Sequence, residues 1–570
     1  MKTKSHQKNS NHNSIPLEEK HSLNLGELLS VEINHIKSKR AEKKQNINVL
    51  EDSLGIALSG GGIRSATISL GIMEELNKLG LIEKADYFSS VSGGGYLSSY
   101  IQSALNKSQP LSYDQLFDHN VIKHLRDYRM HFFIWPEHKF LSSLVLLSVV
   151  ISSFILNWLW IILPLCFIHF AGLSNLLSYL ILILLILIPA LLLSPNFTSL
   201  HRYYKNRLKK AYLWLDKKIL LKNLTNINAP YPLINATVHV DKDDYETESV
   251  TYRGRINSNY FLFSPLYCGS QVTHYTRTSN SLYSNLSLAT AMATSGAAVN
   301  TFTGNIRLGI SVRWILTLAN MKLGFLAPSP LLKKWFPVFW PSYMLLEILG
   351  KAKTSSYKIQ VSDGGHIENL GIYELLRRKV KTIIAIDSGH DDKFDFSDLR
   401  NLIIRARNEL GMVIEFDEST GPINSVKSSL ITGSSKKHFS IAKVYGLEGS
   451  YAQDYNGILV YIKSSVLPID KFKVRSLKKE AEFLRKEGSK EDFMKKRREL
   501  DYTMYRTYTP DFPHQSTSNQ FFREEQWDAY YNLGKSIGKK TVDSLGIKKT
   551  DSRINIHTKC LKLKMLTNDT

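Results

Sequence analysis

Short apolar runs and glycine-rich turns alternate along residues 48–139, and a segment with helical spacing of apolar residues follows each turn. Leu54–Leu58 and Tyr87–Val91 have the length and composition of buried strands. Apolar residues then recur at helical intervals, as at Ile68 and Ile72. Repeated strand–loop–helix units predict an α/β fold in which helices cover both faces of a parallel sheet.

The pattern changes abruptly at residues 140–200, which contain no Asp, Glu, Lys or Arg. Leu141–Phe170 and Leu176–Leu193 are long apolar runs, and Ala171–Asn175 forms a short turn between them. A helix of about 20 apolar residues is long enough to span a bilayer. The pattern therefore predicts a transmembrane helical hairpin inserted into the α/β domain, with a pair of buried core helices as the alternative.

Basic residues flank this uncharged segment on both sides and are missing from its central turn. They are Arg126, Arg129 and Lys139 before it, and Arg202, Lys205, Arg207, Lys209, Lys210, Lys217 and Lys218 after it. The positive-inside rule predicts a multi-pass membrane protein with its globular domain and both termini in the cytoplasm. The alternative is a hairpin that inserts into a target membrane after delivery elsewhere.

Globular character returns after the hairpin, so residues 201–545 are predicted to complete the interrupted domain, with a strand at Lys381–Asp387. The two ends of the chain are polar. Residues 1–47 are predicted to form a largely disordered polar and basic tail, with a helix around Leu25–Ile36. Residues 546–570 are predicted to be a frayed C-terminal tail.

Two segments within the second part have a distinct composition. Residues 311–352 place aromatics beside lysines, as at Lys333 and Trp335, which suits a membrane interface; an ordinary mixture of core and surface is the alternative. Residues 470–500 are dense in Lys, Arg and Glu at helical spacing. They predict a solvated basic helix, with a helix that faces a membrane or RNA as the alternative.

The charge balance bears on the partners of the chain. There are 73 Lys and Arg against 51 Asp and Glu, which gives a net charge of +22. Such an excess favours an anionic partner. Next to an apolar hairpin, an anionic membrane surface is predicted, and no nucleic acid is expected as a partner. Cys166, Cys268 and Cys560 are far apart in the sequence, which fits a reducing compartment.

Ser92 lies in the sequence Ser90–Gly95, between a predicted strand and a predicted helix. A serine on such a sharp turn exposes its hydroxyl, and the helix N-terminus behind it favours developing negative charge. The pattern Ser-x-Ser-x-Gly, which ends at Gly94, is a relaxed form of the Gly-x-Ser-x-Gly nucleophile elbow. By itself it also fits an ordinary turn and helix cap.

Two other glycine-rich loops supply what an acyl-transfer site needs besides a nucleophile. Gly60–Gly62 follow the first predicted strand, and their backbone N–H groups can converge on an anion, with the positive charge of Arg64 nearby. Asp363 follows another predicted strand and is the candidate general base. Gly364 and Gly365, directly after it, allow the loop to approach the serine.

These three motifs, in this order, resemble those of the patatin-like phospholipases of bacterial type. That family has a Gly-Gly-Gly-x-Arg/Lys oxyanion loop, a Gly-x-Ser-x-Gly elbow and an Asp-Gly-Gly/Ala motif. The resemblance implies a three-layer α/β/α fold and a Ser-Asp dyad, with Ser92 as the nucleophile and Asp363 as its partner. It also implies an oxyanion hole formed by the N–H groups of Gly60, Gly61 and Gly62.

The resemblance covers residues 50–105 and 230–390, and more weakly 510–535. Two positions depart from the family pattern. Ser90 replaces the first glycine of the elbow, and Ser65 stands where the family often has another glycine. Serine is small enough for the tight turn, so neither departure removes the predicted site.

The predicted function is hydrolysis of fatty-acyl esters in membrane phospholipids or lysophospholipids by a membrane-anchored carboxylic ester hydrolase, without a cofactor or a metal. One alternative is an esterase of small esters with a triad of Ser92, Asp387 and His390. Another is a catalytically silent membrane scaffold. A nucleotide-phosphate cradle at the glycine loop is disfavoured, because neither the third glycine of G-x-G-x-x-G nor a G-K-[ST] follows.

Overall fold

A mixed β-sheet of 13 strands runs through the computed structural model of the chain. The strands are β1 (Ser22–Leu23), β2 (Leu54–Leu58), β3 (Tyr87–Val91), β4 (Tyr231–His239), β5 (Ser258–Phe263), β6 (Tyr267–Ser270), β7 (His274–Arg277), β8 (Phe325–Pro328), β9 (Lys358–Asp363), β10 (Thr382–Asp387), β11 (Met412–Phe416), β12 (Phe439–Gly446) and β13 (Asn456–Lys463). Their order is β1-β7-β6-β5-β4-β3-β2-β10-β13-β12-β11, and β9 pairs with both β4 and β8.

Helices surround this sheet. They are α1 (Leu25–Glu42), α2 (Val49–Asp52), α3 (Gly62–Lys78), α4 (Leu81–Lys84), α5 (Ser92–Asn106), α6 (His119–Asp127), α7 (Lys139–Phe170), α8 (Leu176–Leu192), α9 (Pro195–Thr198), α10 (Leu200–Tyr212), α11 (Leu288–Ser295), α12 (Ile310–Leu318), α13 (Trp340–Leu349), α14 (Tyr373–Arg377), α15 (Ser397–Leu410), α16 (Lys471–Glu487), α17 (Glu524–Leu545) and α18 (Arg553–Leu566).

The structure describes residues 22–129, 139–172, 175–192, 194–240, 258–301, 309–332, 339–350, 354, 356–429, 434–468, 471–489, 492, 503–517 and 522–566. Five predictions therefore fall partly outside the described residues. They concern residues 1–21 of the N-terminal tail, 173–174 and 193 of the apolar segment, 333–338 and 351–352 of the aromatic segment, 470, 490–491 and 493–500 of the basic segment, and 567–570 of the C-terminal tail.

Alternate residues of the central strands belong to two separate hydrophobic clusters. On β10, Ile384 and Ile386 belong to one cluster, and Ile383 and Ala385 belong to the other. The first cluster packs α3, α5, α10, α11 and α17 against the sheet, and the second packs α1, α14 and α15. The predicted mixed α/β class is thus confirmed. The sheet is parallel only from β4 through β3, β2 and β10 to β13.

The apolar segment forms the helical hairpin α7–α8. Within the described part of the chain, no helix on its own combines the length and the apolar composition needed to cross a bilayer. Ser143–Leu159 and Ile161–Phe170 meet both criteria only as a pair, and a 59° bend separates them. Leu176–Leu192 has 17 residues, fewer than the roughly 20 that a span requires. The prediction of two membrane-spanning helices is therefore not supported.

The N-terminal segment differs from the expected tail, because residues 25–42 form an 18-residue helix that begins with a capping box between Asn24 and Glu27. Two of its charged side chains are buried in ion pairs. Glu32 Oε2 lies 2.7 Å from Arg378 Nε, and Arg40 Nη2 lies 2.6 Å from Asp86 Oδ2. Some of the charged residues that suggested disorder therefore form buried ion pairs.

The C-terminal part also packs on the domain. Helix α17 crosses α3 at a very short separation, because a Cβ at Gly71 would overlap the Tyr531 carbonyl and a Cβ at Gly534 would overlap the Ile68 carbonyl. The expectation of a frayed tail after residue 545 is wrong for α18, since Ile556 and Cys560 are fully buried there. These apolar positions dock the last helix onto the main hydrophobic cluster.

Candidate active site

The register of β4 brings the predicted nucleophile and base together. Strand β3 runs parallel to β4 and ends with Val91 opposite Asn235. Strand β9 runs antiparallel to β4 and ends with Asp363 opposite Ala236, the next residue along. The two strands therefore meet end to end beside β4. Ser92, which directly follows β3, places its Oγ 3.1 Å from Asp363 Oδ2 and donates a hydrogen bond to it.

Ser92 has the strained backbone expected of a nucleophile on a sharp turn. Its φ is +48°, in the left-handed region that residues other than glycine seldom adopt. The two glycines after it are required by close backbone contacts. A Cβ at Gly93 would overlap the Gly62 carbonyl, and a Cβ at Gly94 would overlap the Leu58 carbonyl. Ser90, by contrast, fits within β3, where it is fully buried.

The carboxyl of Asp363 is buried, and burial raises its pKa from 3.8 to about 7. Hydrogen bonds from the Gly365 N–H and the Ser92 hydroxyl act in the opposite direction and lower it. The Gly365 N–H donates to Asp363 Oδ1 at 2.8 Å, which leaves Oδ2 for the serine. A carboxylate whose pKa lies near neutrality is well suited to accept and return a proton.

The glycine loop lies beside the serine but differs in one respect from the expected oxyanion hole. The Gly60 N–H donates to the Asn369 carbonyl oxygen at 2.8 Å and is therefore engaged. Gly61 and Gly62, with φ of +140° and +63°, lead into α3, where helix geometry leaves the first amides without intrahelical acceptors. These two N–H groups are the candidate oxyanion donors.

Ser295 and Asn235 hold the backbone of Ser92, and neither was predicted from the sequence. The Ser92 N–H donates to Ser295 Oγ at 2.9 Å, and the Ser295 hydroxyl donates to the Asn235 carbonyl at 2.6 Å. The Asn235 side chain in turn donates to Ser89 Oγ. Ser295 lies in a run of small residues that is visible in the sequence, but the run does not reveal the bond to the Ser92 N–H.

Asn369 connects the two loops of the site. Besides accepting from Gly60, it donates its side-chain amide to Asp398 Oδ2 at 2.8 Å. A Cβ at Gly60 would overlap its amide oxygen. A cavity of about 300 Å³ lies on this side of the Asp363 loop, with Gly365, Asn369 and Asp398 among its lining residues. Asn369 follows the predicted Asp-Gly-Gly motif closely, which is a signal that could have revealed it.

Arg64 is buried beneath the glycine loop rather than facing a ligand. Its Nε donates to the Ser388 carbonyl at 3.4 Å, and its Nη1 donates to the Gln515 carbonyl. Burial lowers the pKa of this guanidinium. These contacts fit a role in steadying the loop, whereas the sequence led us to expect the positive charge of Arg64 near the bound anion. Ser65, the other departure from the family pattern, donates its hydroxyl to the Ser59 carbonyl within the same loop.

Tyr96 and Tyr204 form a pair of buried phenols near the serine. Tyr96 follows Ser92 by one helical turn on α5, and its hydroxyl contacts that of Tyr204 on α10. Tyr204 also donates to the Gly296 carbonyl at 3.2 Å. Burial raises the pKa of both phenols, so both remain neutral donors. This pair connects the helix after the apolar hairpin to the nucleophile helix.

The structure does not assemble the alternative triad. Asp387 accepts from Lys463 Nζ at 2.7 Å and from the Gly389 N–H at 2.9 Å, and its side chain also contacts Tyr461. Burial opposes ionisation of Asp387, but these partners prevail and its pKa is lowered. His390 is exposed. Within the described residues, no group of three or more His, Cys, Asp or Glu side chains is arranged to hold a metal ion.

No protein-family model matches the chain, but comparisons with known proteins and with solved structures find similar ones. The putative meiotic phospholipase SPO1 of Saccharomyces cerevisiae is 43% identical over 51 residues, or 9% of this chain and 8% of that protein. The chain thus matches only a small part of this relative. Human GIVD cytosolic phospholipase A2 aligns with a TM-score of 0.53 and 12% identity, over 93% of this chain and 67% of that one. The second similarity shows a shared mixed α/β fold.

Proposed function

We propose that the chain is a lipid acyl hydrolase of the phospholipase A or lysophospholipase type that uses a Ser92–Asp363 dyad. The observation that carries this proposal is the 3.1 Å hydrogen bond from Ser92 to a buried carboxyl whose pKa is about 7. The motifs that resemble patatin-like phospholipases support it. So do the two comparisons, because both relatives are named as phospholipases.

The dyad performs both halves of the reaction. Ser92 Oγ attacks the ester carbonyl while Asp363 takes the serine proton, and the N–H groups of Gly61 and Gly62 stabilise the oxyanion. The intermediate collapses to an acyl-serine, and the departing alcohol receives the proton from Asp363. Asp363 next removes a proton from water, whose oxygen attacks the acyl carbonyl. Ser92 leaves with that proton, and the fatty acid is released.

The apolar hairpin supports a membrane lipid as the substrate. Large apolar side chains of α7 and α8 are exposed, among them Phe154, Leu163 and Leu184. After the short helix α9, helix α10 carries Arg202 and Lys205. We propose that the hairpin enters the apolar layer of an anionic bilayer and keeps the dyad at the membrane surface, with the globular part on the cytoplasmic side.

Fatty-acid release from mixed phospholipid vesicles tests this proposal. We expect the wild-type protein to release fatty acid and both Ser92→Ala and Asp363→Asn to reduce the rate by at least about a thousandfold. His390→Ala is the matched control and should retain the wild-type rate, because that side chain lies outside the dyad. Activity that persists in both dyad variants, or is lost with His390→Ala, would refute the mechanism. A wild-type protein that is inactive, and whose serine is not labelled by an acyl-phosphonate probe, would favour the silent scaffold.

A further inference from the structure

Four helices bury polar side chains while they expose large apolar ones, which is unusual for a globular surface. On α13, Glu347 is 2% exposed and its carboxylate lies 2.6 Å from Lys322 Nζ, while Leu345 and Leu349 are 58% and 51% exposed. On α12, Thr317 is buried while Ile315 is 62% exposed. A helix on a water-facing surface normally buries its leucines and exposes its charged residues.

The hairpin shows the same pattern. Asn157 and Ser153 of α7 are buried, although Phe154 and Ile155 between them are about half exposed. Ser178 of α8 is buried in the same way within a helix of exposed leucines and isoleucines. Each of the four helices therefore buries at least one polar side chain against protein while it exposes large apolar side chains. A lipid environment favours this arrangement.

These helices form one continuous surface. Trp158 Nε1 and Asn157 Nδ2 on α7 both donate to the Leu318 carbonyl at the end of α12, at 3.0 and 3.4 Å. Helix α13 packs against both α8 and α12. The residues of this surface, which we call the four-helix apolar surface, are the exposed apolar side chains of α7, α8, α12 and α13. It is far more extensive than isolated apolar side chains on a soluble surface.

The rim of this surface carries charge that fits anionic lipid. The Arg202 guanidinium lies 4.4 Å from the ring centroid of Phe197, which is itself 64% exposed at the base of the hairpin. Lys205 and Lys209 lie on the same helix as Arg202, and burial, followed by repulsion from Lys209 and Arg202, lowers the pKa of Lys205. A cationic and aromatic rim beside an apolar surface is typical of an element seated at a bilayer interface.

We propose that the four-helix apolar surface is a single membrane-seating surface, in which α12 and α13 enter the same lipid layer as the hairpin. The occupant is an anionic phospholipid bilayer. This inference rests on the membrane part of the proposed function but not on the Ser92–Asp363 chemistry. The hairpin is therefore one half of a broader interfacial platform, and the second half comes from the chain between α11 and β9.

A site-specific fluorescence experiment tests this inference with inactive Ser92→Ala protein, so that the lipid remains intact. An environment-sensitive NBD label is attached to the exposed native Cys166 of α7, which reports on the hairpin. In a Cys166→Ser background, the label is placed by Ile315→Cys on α12 or Leu345→Cys on α13. The matched controls are Ile404→Cys and Ile423→Cys, which are also exposed but lie outside the surface.

On addition of phosphatidylcholine–phosphatidylglycerol vesicles, labels at positions 166, 315 and 345 should brighten several-fold and be quenched by lipid-borne nitroxide. Labels at 404 and 423 should do neither. A response at 166 alone would overturn the proposal by restricting membrane contact to the hairpin. A concentration-dependent response at 315 and 345 without lipid would identify a second copy of the chain as the occupant instead. Hydrolysis of a soluble ester by the wild-type protein, measured in parallel, reports on the dyad independently.

Discussion

In the proposed mechanism, the buried carboxyl of Asp363 determines how both activity and stability depend on pH. Because burial raises its pKa to about 7, the protonated form predominates below neutrality and cannot accept the serine proton. We expect kcat/KM to rise with pH by about tenfold per unit up to about pH 7 and then to level off. The measurement should use a soluble ester, whose state does not change with lipid packing. A flat profile across this range would contradict the assignment of the base.

The same pKa predicts the effect of Asp363→Asn on stability. The folded pKa of about 7 exceeds the ordinary value of 3.8, so between these values only the folded state holds the proton. The free energy of unfolding of the wild type therefore falls as the pH rises through this window. The variant carries no such cost and should exceed the wild type in stability by on the order of 2 kcal/mol at about pH 8. Thermal melts at acidic and alkaline pH should show that the stability difference between the variant and the wild type increases with pH. A difference that does not change with pH would contradict the raised pKa.

Ser295 should affect turnover although it does not touch the reacting bond. Ser295→Ala removes the acceptor of the Ser92 N–H and the donor to the Asn235 carbonyl. Without them the serine backbone is less well fixed, so kcat should fall about 10- to 100-fold with little change in KM. Thr294→Val is the matched control on the same helix, because the Thr294 hydroxyl bonds only to the Thr290 carbonyl. Equal losses in both variants would indicate general damage to α11.

The sequence predicted Ser92, Asp363 and the glycine loop because each lies in a local motif that combines a strand end with small residues. It did not predict that the Gly60 N–H is engaged by Asn369, nor that Ser295 bonds to the nucleophile. Those contacts join residues that are hundreds of positions apart. Only the assembled sheet brings them together, so no local pattern encodes them.

At the scale of elements, the crossing of α3 and α17 fixes the position of the Gly60–Gly62 loop, because α3 begins at Gly62. Gly534→Ala would force a Cβ into the Ile68 carbonyl and should destabilise the fold by about 1–3 kcal/mol, with a parallel loss of activity. Gly26→Ala is the matched control in α1, where the new Cβ would make an ordinary 3.6 Å contact. Chemical denaturation should show Gly26→Ala unchanged or slightly more stable. Equal effects of the two would contradict the close crossing.

Helix α1 shows why polar composition alone misled the sequence prediction. Its position near Leu25–Ile36 could be predicted from the spacing of Leu28, Leu29 and Ile36. Its attachment to the domain could not, because Glu32 and Arg40 find their partners Arg378 and Asp86 elsewhere in the chain. The sequence alone does not distinguish a charged residue that has a buried partner from one that faces water.

At the scale of the whole molecule, the mixed α/β class followed from the alternation of strands and helices, whereas the mixed topology did not. A strand before Asp363 was predicted, and β9 is that strand. Its antiparallel direction beside β4 was not predicted, because it depends on the path of the chain through α12 and α13. Apolar composition likewise identified the hairpin. The sequence signal for the 59° bend in the first run is Pro164, which follows the bend by about one helical turn, because a proline inside a helix removes a backbone hydrogen bond.

The central claim, that Ser92 is an activated nucleophile paired with Asp363, is tested most directly by covalent labelling. Purified protein is treated with a long-chain fluorophosphonate, and the adduct is located by intact mass and peptide mapping. The account predicts one adduct per chain on Ser92, none in Ser92→Ala, and much slower labelling in Asp363→Asn, with a labelling rate that rises with pH through about 7. An adduct on another residue, or equal labelling rates with and without the Asp363 carboxyl, would contradict it.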